Sequence, residues 1–243
     1  MIGEVDVQDD PRALARRVAE WLTAAALAAS GPFRVALSGG STPEALFALL
    51  ASDGFRDRFP WDCVSWYWGD ERFVPHDDPR SNYRMARRAM LAKVPAPATN
   101  IHPIPVDGTP EAAALSYERT LQAAYGGSIL DPGRPLFDVT LLGVGADGHT
   151  ASLLPGEPVL GARGRWVVAV PHGQEETRIT MTYPVLESSR RVAFLVVGAG
   201  KAAIFGTIRA GGSEVPAARL RPLGELTWFI DREAAGLGAS LSE

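Results

Sequence analysis

The sequence is poor in cysteine, in long apolar runs and in positive charge. Its single cysteine, Cys63, excludes an internal disulfide and a cysteine-based zinc site within the chain. The apolar stretch over residues 24–29 is far too short to cross a bilayer. The formal net charge of −4 provides no overall basic field to attract nucleic acid. We therefore expect a cytoplasmic protein that has neither a membrane nor a nucleic-acid partner.

Several patterns that mark metal sites or nucleophiles are also absent. The four histidines form no H-x-x-x-H or H-E-x-x-H pair, and the chain contains no G-x-S-x-G turn. His76, His102 and His172 each lie near a proline, and we interpret them as ordinary loop residues. These absences predict that the protein holds no metal ion.

Helical and extended segments alternate along the chain. Apolar spacing predicts helices over residues 11–29, 41–50, 82–93, 111–125 and 200–209. Short apolar runs predict strands over residues 33–37, 63–68, 137–142, 166–170, 191–197 and 226–230. This pattern indicates an α/β, Rossmann-like three-layer fold with a mostly parallel central sheet flanked by helices.

The organisation of the chain gives no sign of a second domain. We find no internal repeat, and the proline-rich connection over residues 95–110 lacks the composition of a flexible linker. We therefore expect a single α/β domain over residues 1–243. In such sheets, ligands bind beyond the carboxyl ends of the strands. This rule brings together the loops that follow Leu37, Trp68, Leu142 and Val197.

The loop after the first predicted strand, residues 38–44, suits an anion. Gly39 and Gly40 let the backbone approach a ligand, and the following helix presents free N–H groups. Ser41 and Glu44 also have the spacing of a capping box, so a well-capped turn explains the same residues. Both readings of this loop stay open on its residues alone.

The loop after the next strand carries Asp70, Glu71 and Arg72 in succession. At the carboxyl end of a strand these three charges would line a cleft. The planar guanidinium of Arg72 suits an anion, and the two carboxylates suit sugar hydroxyls or the orientation of Arg72. A charged surface turn is the alternative.

The third loop, residues 143–150, has G-x-G-x-x-G spacing. We reject a dinucleotide site because Pro155 cuts short any following helix and residues 167–170 contain no acidic group for a ribose. The loop also carries Asp147 and His149. A neutral imidazole is a ready general base, and Asp147 is close enough in sequence to orient it.

The fourth loop places Lys201 where a helix begins, although a cation is electrostatically unfavourable there. A bound phosphate would remove that conflict, whereas a solvated surface lysine is the simpler explanation. Arg178 precedes a short run with strand propensity and by itself indicates little.

The chain carries a set of short stretches in a fixed order: SGGSTP at 38–43, WGDERFVP at 68–75 with Asp78 and SNY at 81–83, LGVGADGHTASL at 142–153 with PG at 155–156, RIT at 178–180, GAGK at 198–201, and GELTW at 224–228 leading to Asp231. In these stretches the chain resembles the 6-phosphogluconolactonases, which lie in a wider fold group with the glucosamine-6-phosphate deaminases and isomerases. Leu154 stands where phenylalanine is usual, a mild apolar change.

The resemblance implies a glucosamine-6-phosphate deaminase-like fold and a phosphorylated sugar lactone as the small-molecule partner. The implied reaction is hydrolysis of 6-phospho-D-glucono-1,5-lactone, the second step of the oxidative pentose phosphate pathway, without a cofactor. His149 would activate water, and Arg72 would contact the phosphate or the lactone. The residues that would hold the phosphate are Gly40, Ser41, Thr42, Arg178 and Lys201.

Two other functions stay open beside this one. An isomerase or deaminase of the same fold needs a carboxylate base, which Asp70 could supply, although the HTAS run at 149–152 resembles the lactonases. A sugar-phosphate sensor normally carries a DNA-binding module, for which the residues before the first predicted strand leave no room. We expect a monomer or a weak homo-oligomer.

Overall fold

Nine strands lie within the part of the chain that this computed structural model describes, residues 3–172, 175–212 and 214–238. The strands are β1 (Glu4–Gln8), β2 (Phe33–Leu37), β3 (Val64–Trp68), β4 (Asp70–Arg72), β5 (Val139–Leu142), β6 (Val167–Val170), β7 (Arg178–Met181), β8 (Arg191–Val196) and β9 (Glu225–Asp231). The helices are α1 (Pro11–Leu27), α2 (Ser41–Leu50), α3 (Asp53–Arg56), α4 (Asn82–Ala86), α5 (Pro110–Tyr125), α6 (Tyr183–Glu187), α7 (Ala202–Arg209) and α8 (Pro216–Arg219).

Six strands form the central sheet in the order β1-β9-β8-β5-β2-β3, and every neighbouring pair is parallel. All four residues of β5 are buried, as are five of the six in β8, which is why these strands have continuously apolar sequences. The prediction of a mostly parallel central sheet is therefore confirmed.

The direction of strand order reverses between β2 and β5. From β2 the chain continues outward to β3, whereas from β5 it continues through β8 to β9 on the other side. Loops that leave the carboxyl ends of two such strands diverge and open a crevice between them. The fold therefore creates a cleft between the loops at 38–40 and 143–149.

A second, three-stranded sheet has the order β4-β7-β6 and is antiparallel. The strand predicted over 166–170 exists as β6, but its expected place in the parallel sheet is wrong. Apolar runs report burial and do not identify the pairing partner. The loop expected at residues 70–72 is also a strand, β4, whose pairing with β7 sets Arg72 opposite Arg178.

Strand β1 has no counterpart among the predicted strands. It pairs in parallel with β9 along five residues and occupies an edge of the central sheet. Its sequence, EVDVQ, alternates polar and apolar residues, which is typical of a half-exposed strand. Because the segment before α1 is rich in acidic residues, its short alternation is easily overlooked.

The long helices begin where the sequence predicts. Asp10 accepts hydrogen bonds from the backbone N–H groups of Arg12 and Ala13 at the start of α1, at 2.7 and 2.8 Å. Thr109 caps α5 through the N–H of Ala112. The helix expected over 82–93 is α4 followed by a π-helical turn at Arg87–Leu91. None of the helices within the described residues is long and apolar enough to span a membrane.

One glycine joins the two sheets. The N–H of Gly69 donates to the carbonyl of Leu37 at the end of β2, and its carbonyl accepts from Met181 at the end of β7. Just before it, the N–H of Trp68 donates to the hydroxyl of Tyr117 at 2.8 Å, and that hydroxyl lies 3.2 Å from the Trp68 carbonyl. These contacts fix the point at which the chain leaves β3 and enters β4.

We expect Tyr117→Phe to lower the free energy of unfolding by about 1–3 kcal/mol, because it leaves the buried N–H of Trp68 without its acceptor. Urea denaturation measures this loss. Thr120→Ala, an exposed hydroxyl on the same helix, is the control and should change stability by less than about 0.5 kcal/mol. Equal effects of the two substitutions would contradict the proposed role of Tyr117.

Candidate functional site

A cleft of about 250 Å³ opens at the carboxyl ends of β2, β3, β5 and β8. All four loops that the sequence analysis groups together contribute to it, and β7 adds one further side chain. The lining residues are Ser38, Gly39, Gly40, Asp70, Arg72, Asn82, Gly143, Val144, Gly145, His149, Ala151, Arg178 and Lys201. Three cations and one imidazole therefore share a cleft with exposed glycine backbone.

The N-terminus of α2 reaches this cleft without a capping side chain. Gly40 is its N-cap residue at φ +104°, a conformation that favours glycine, and no side-chain oxygen bonds the first N–H groups. Of the two readings that the sequence leaves open for this loop, the capping box of Ser41 and Glu44 is therefore wrong. The first N–H groups of α2, beside Gly39 and Gly40, are therefore not occupied by a side-chain cap, which is what an anion bound at a helix start requires.

Ser41 and Thr42 form the first two residues of α2. Neither residue lines the cleft. Their backbone N–H groups lie in the first turn, where an anion bound at a helix N-terminus is stabilised by the helix dipole.

His149 and Asp147 form a hydrogen-bonded pair at the cleft. The imidazole Nδ1 lies 2.6 Å from the Asp147 carboxylate, which also accepts the backbone N–H of His149 at 3.1 Å. Burial acts to raise the pKa of Asp147, but the hydrogen bonds and charge of His149 lower it below its ordinary value. A carboxylate only accepts, so Nδ1 donates to it, and in the neutral imidazole Nε2 then keeps its lone pair.

The imidazole occupies the space that a side chain at residue 145 would need. A Cβ at Gly145 would overlap the ring of His149 and the carboxylate of Asp147. The Gly145 N–H donates to the His149 carbonyl at 2.9 Å, and Gly148 donates to Gly145 at 3.0 Å. Gly145 therefore leaves room for the imidazole of His149, and the N–H groups of Gly145 and Gly148 are already in use.

Asp70 lies in the cleft lining and is 4% exposed. Its carboxylate accepts a 2.6 Å hydrogen bond from Ser152 and lies 3.8 Å from the guanidinium of Arg178. Burial lowers the pKa of Arg178, and the nearby charge of Arg72 lowers it further, whereas Asp70 acts to raise it. Asp70 is thus the counterion that allows two arginines to face the same cleft.

Glu71 points into the protein and not into the cleft. It is 1% exposed and accepts hydrogen bonds from Ser81 and from the backbone N–H groups of Arg72, Asn82 and Tyr83. Burial raises the pKa of Glu71 although these bonds act to lower it. We therefore interpret Glu71 as a structural residue whose hydrogen bonds connect β4 to the start of α4. The sequence shows only that Glu71 is charged and does not show that its side chain is buried.

Lys201 lines the cleft just before α7. The carboxylate of Asp231 accepts the N–H of Gly198, and that of Glu233 accepts the N–H of Ala199 at 3.3 Å. These two carboxylates already offset the positive charge at this helix start. The electrostatic conflict inferred from the sequence is therefore resolved within the protein, and the contribution of Lys201 rests on its side chain.

Asn82 is the main lining residue to which the sequence analysis gives no role. Its amide donates to the carbonyl of Asp70 at 3.0 Å, and it packs so closely on Gly39 that a Cβ there would overlap it. Ala151, also in the lining, has φ +47° and is the one non-glycine residue with positive φ in the described ranges. A glycine and an asparagine 43 positions apart give no sequence signal of this contact.

The described residues contain no group of three or more histidine, cysteine, aspartate or glutamate side chains that could hold a metal ion.

Comparison with known proteins identifies the family. A family model for glucosamine-6-phosphate isomerases and 6-phosphogluconolactonases matches residues 9–228. The chain belongs to this family. A 6-phosphogluconolactonase of Synechocystis is 40% identical over 242 residues, which cover 96% of this chain and 98% of that protein.

Solved structures of the family have the same fold. The 6-phosphogluconolactonase of Thermotoga maritima matches with a TM-score of 0.81 and 27% identity, over 94% of this chain and 99% of that one. A monomeric glucosamine-6-phosphate deaminase matches with a TM-score of 0.80 at 21% identity, over 97% of this chain and the whole of that chain. The expected Rossmann-like, deaminase-like three-layer fold is therefore confirmed.

We expect Gly145→Ala to displace the imidazole of His149, because the added methyl group would occupy its position. A crystal structure of the variant should show the separation between His149 Nδ1 and Asp147 Oδ1 increased beyond hydrogen-bond distance. Gly54→Ala, which meets open space, is the control and should keep the pair intact. A variant at residue 145 that retained the 2.6 Å contact would refute this role of the glycine.

Proposed function

We propose that this protein hydrolyses 6-phospho-D-glucono-1,5-lactone to 6-phospho-D-gluconate, as a single domain and as a step of the oxidative pentose phosphate pathway. The observation that carries the proposal is the His149–Asp147 pair, which opens on a cleft containing Arg72, Arg178 and Lys201. The family includes proteins of this activity, among them the Synechocystis relative.

The proposed reaction uses His149 as a general base. Its Nε2 accepts a proton from water while the water oxygen forms a bond to the lactone carbonyl carbon. Asp147 holds the ring and stabilises the imidazolium that results. When the tetrahedral intermediate collapses, the bond from carbon to the ring oxygen breaks and the imidazolium returns its proton to that oxygen. General-base catalysis of this kind accelerates a reaction by about 10²–10⁴-fold.

The oxyanion of the intermediate needs a donor near His149. The N–H groups of Gly145 and Gly148 already donate within their own loop, so they are poor candidates. We assign this role to Arg72 or to another N–H group of the loop at 143–147. One well-placed donor is worth about 10²–10³-fold in turnover.

The substrate phosphate carries close to two negative charges at neutral pH. The uncapped start of α2, at Gly39, Gly40, Ser41 and Thr42, supplies N–H groups for it. The side chains of Arg178 and Lys201 supply positive charge to the same cleft. We propose that these groups hold the phosphate and that Asp70, with one oxygen committed to Ser152 and Arg178, orients Arg178 or a sugar hydroxyl.

An isomerase or deaminase is the second candidate, since a deaminase shares the fold. Such an enzyme needs a carboxylate base placed at a sugar carbon, and Asp70 is the candidate in the cleft. The short bond from Ser152 and the nearby guanidinium of Arg178 restrain the position of this carboxylate. These contacts favour lactone hydrolysis, for which His149 is the base.

We expect purified protein to accelerate lactone hydrolysis above the spontaneous rate, measured as NADPH formed by added 6-phosphogluconate dehydrogenase. His149→Ala should reduce turnover by about 10²–10⁴-fold. Asp147→Asn should reduce it by at least about tenfold, because the amide no longer fixes the tautomer of His149.

His172→Ala, at an exposed loop histidine, is the matched control and should leave turnover unchanged. Normal turnover in His149→Ala would exclude the proposed mechanism. A wild-type protein without acceleration, but with glucosamine-6-phosphate deaminase activity, would favour the second candidate.

A further inference from the structure

The guanidinium of Arg72 is held by a backbone carbonyl at the rim of the cleft. Its Nη1 donates to the carbonyl of Arg80 at 2.6 Å. Its Nε is buried and finds no hydrogen-bond partner among the described residues. The direction in which Arg72 points therefore depends on where the Arg80 carbonyl lies.

The side chain of Arg80 fixes that carbonyl. Its Nε and Nη2 donate to the two carboxylate oxygens of Asp78, each at 2.9 Å, and the backbone N–H of Arg80 donates to the same carboxylate at 2.8 Å. These bonds lower the pKa of Asp78 to about 2. Such a two-point contact between guanidinium and carboxylate is geometrically specific, so it restrains the backbone at residue 80.

A third contact ties this loop to the neighbouring hairpin. The Nη1 of Arg80 donates to Glu176 at 3.1 Å, two residues before Arg178 at the start of β7. Beside it, the N–H of Phe73 donates to the carbonyl of Thr177 at 2.8 Å. Arg80 therefore links the loop after β4 to the strand that carries the second arginine of the cleft.

Restraint is needed here because two like charges face each other. Arg72 and Arg178 are register partners in the antiparallel sheet, and the charge of each opposes the other. An unrestrained Arg72 would turn away toward solvent and reduce the positive charge that an anionic ligand meets. The contacts of Arg80 oppose this movement before any ligand binds.

We propose that Arg80 is a positioning residue that holds Arg72 in the geometry required for an anionic substrate. Arg80 itself lies outside the cleft lining, and its side chain is half exposed. The identity of the substrate rests on the proposed function, whereas the positioning of Arg72 does not. Arg80 acts through Arg72 and makes no contact with the reacting atoms.

The first test is independent of any substrate. Side-chain nitrogen resonances of Arg72 are assigned by their disappearance in Arg72→Lys, and the Nη resonances are then compared between the wild type and Arg80→Ala. The proposal predicts resolved Nη resonances in the wild type, because rotation about the Nε–Cζ bond is restrained, and averaged ones in Arg80→Ala. Unchanged resonances in Arg80→Ala would overturn it.

The second test is a double-mutant cycle with 6-phosphogluconate as the probe, measured by calorimetry. Arg80→Ala should weaken binding by roughly tenfold, and Arg72→Ala by more. The double variant should bind no more weakly than Arg72→Ala, because Arg80 acts only through Arg72. Additive losses would overturn the proposal, since they would show that Arg80 acts independently.

Arg56→Ala is the matched control, because Arg56 is also a half-exposed arginine paired with two aspartates and lies on α3. It should leave both measurements unchanged. In the coupled lactone assay, Arg80→Ala should lower kcat/KM by roughly tenfold. A wild type that binds the probe without hydrolysing the lactone would defeat the proposed function and leave the first two tests decisive for Arg80.

Discussion

The site depends on how the carboxyl end of β3 is held. Parallel pairing with β2 brings this end beside the loops of β2 and β5, and Gly69 then hydrogen-bonds to both sheets at once. Tyr117, on α5, fixes the preceding residue, Trp68, through its hydroxyl group. Because Asp70 and Arg72 follow directly, these backbone contacts decide where the charges of the cleft lie. The chemistry of the site is therefore a consequence of strand pairing.

Some polar groups around the cleft are hydrogen-bonded within the protein, whereas those at the start of α2 have no side-chain partner. Where the protein needs rigidity, its own groups are paired: Asp147 with His149, and the loop at 198–199 with Asp231 and Glu233. Where an anion would bind, the start of α2 has no capping side chain. A helix terminus without a cap, in a cleft shared with Arg72 and Arg178, is electrostatically complementary to a phosphate. This contrast separates His149, the proposed base, from the proposed phosphate site at the start of α2.

Much of this arrangement could be predicted from the sequence, for identifiable reasons. The continuous apolar runs reveal the buried parallel strands, and the strand-end rule brings His149, Arg72 and Lys201 into one cleft. Contacts between distant residues could not be predicted, because no local pattern encodes them. The packing of Asn82 on Gly39 is one example, and the antiparallel pairing that sets Arg72 opposite Arg178 is another. Similarly, Glu71 looks like a cleft residue until its four internal hydrogen bonds are seen.

A crystal structure of the protein with 6-phosphogluconate bound tests the central claim most directly. The claim is that the substrate phosphate binds at the uncapped start of α2 and the neighbouring cations, while His149 lies at the lactone carbonyl and activates water there. It predicts that the phosphate oxygens accept N–H groups at Gly40, Ser41 or Thr42 and that the carboxylate carbon lies next to His149 Nε2. A ligand bound in the opposite direction, with its phosphate at His149, would contradict the claim.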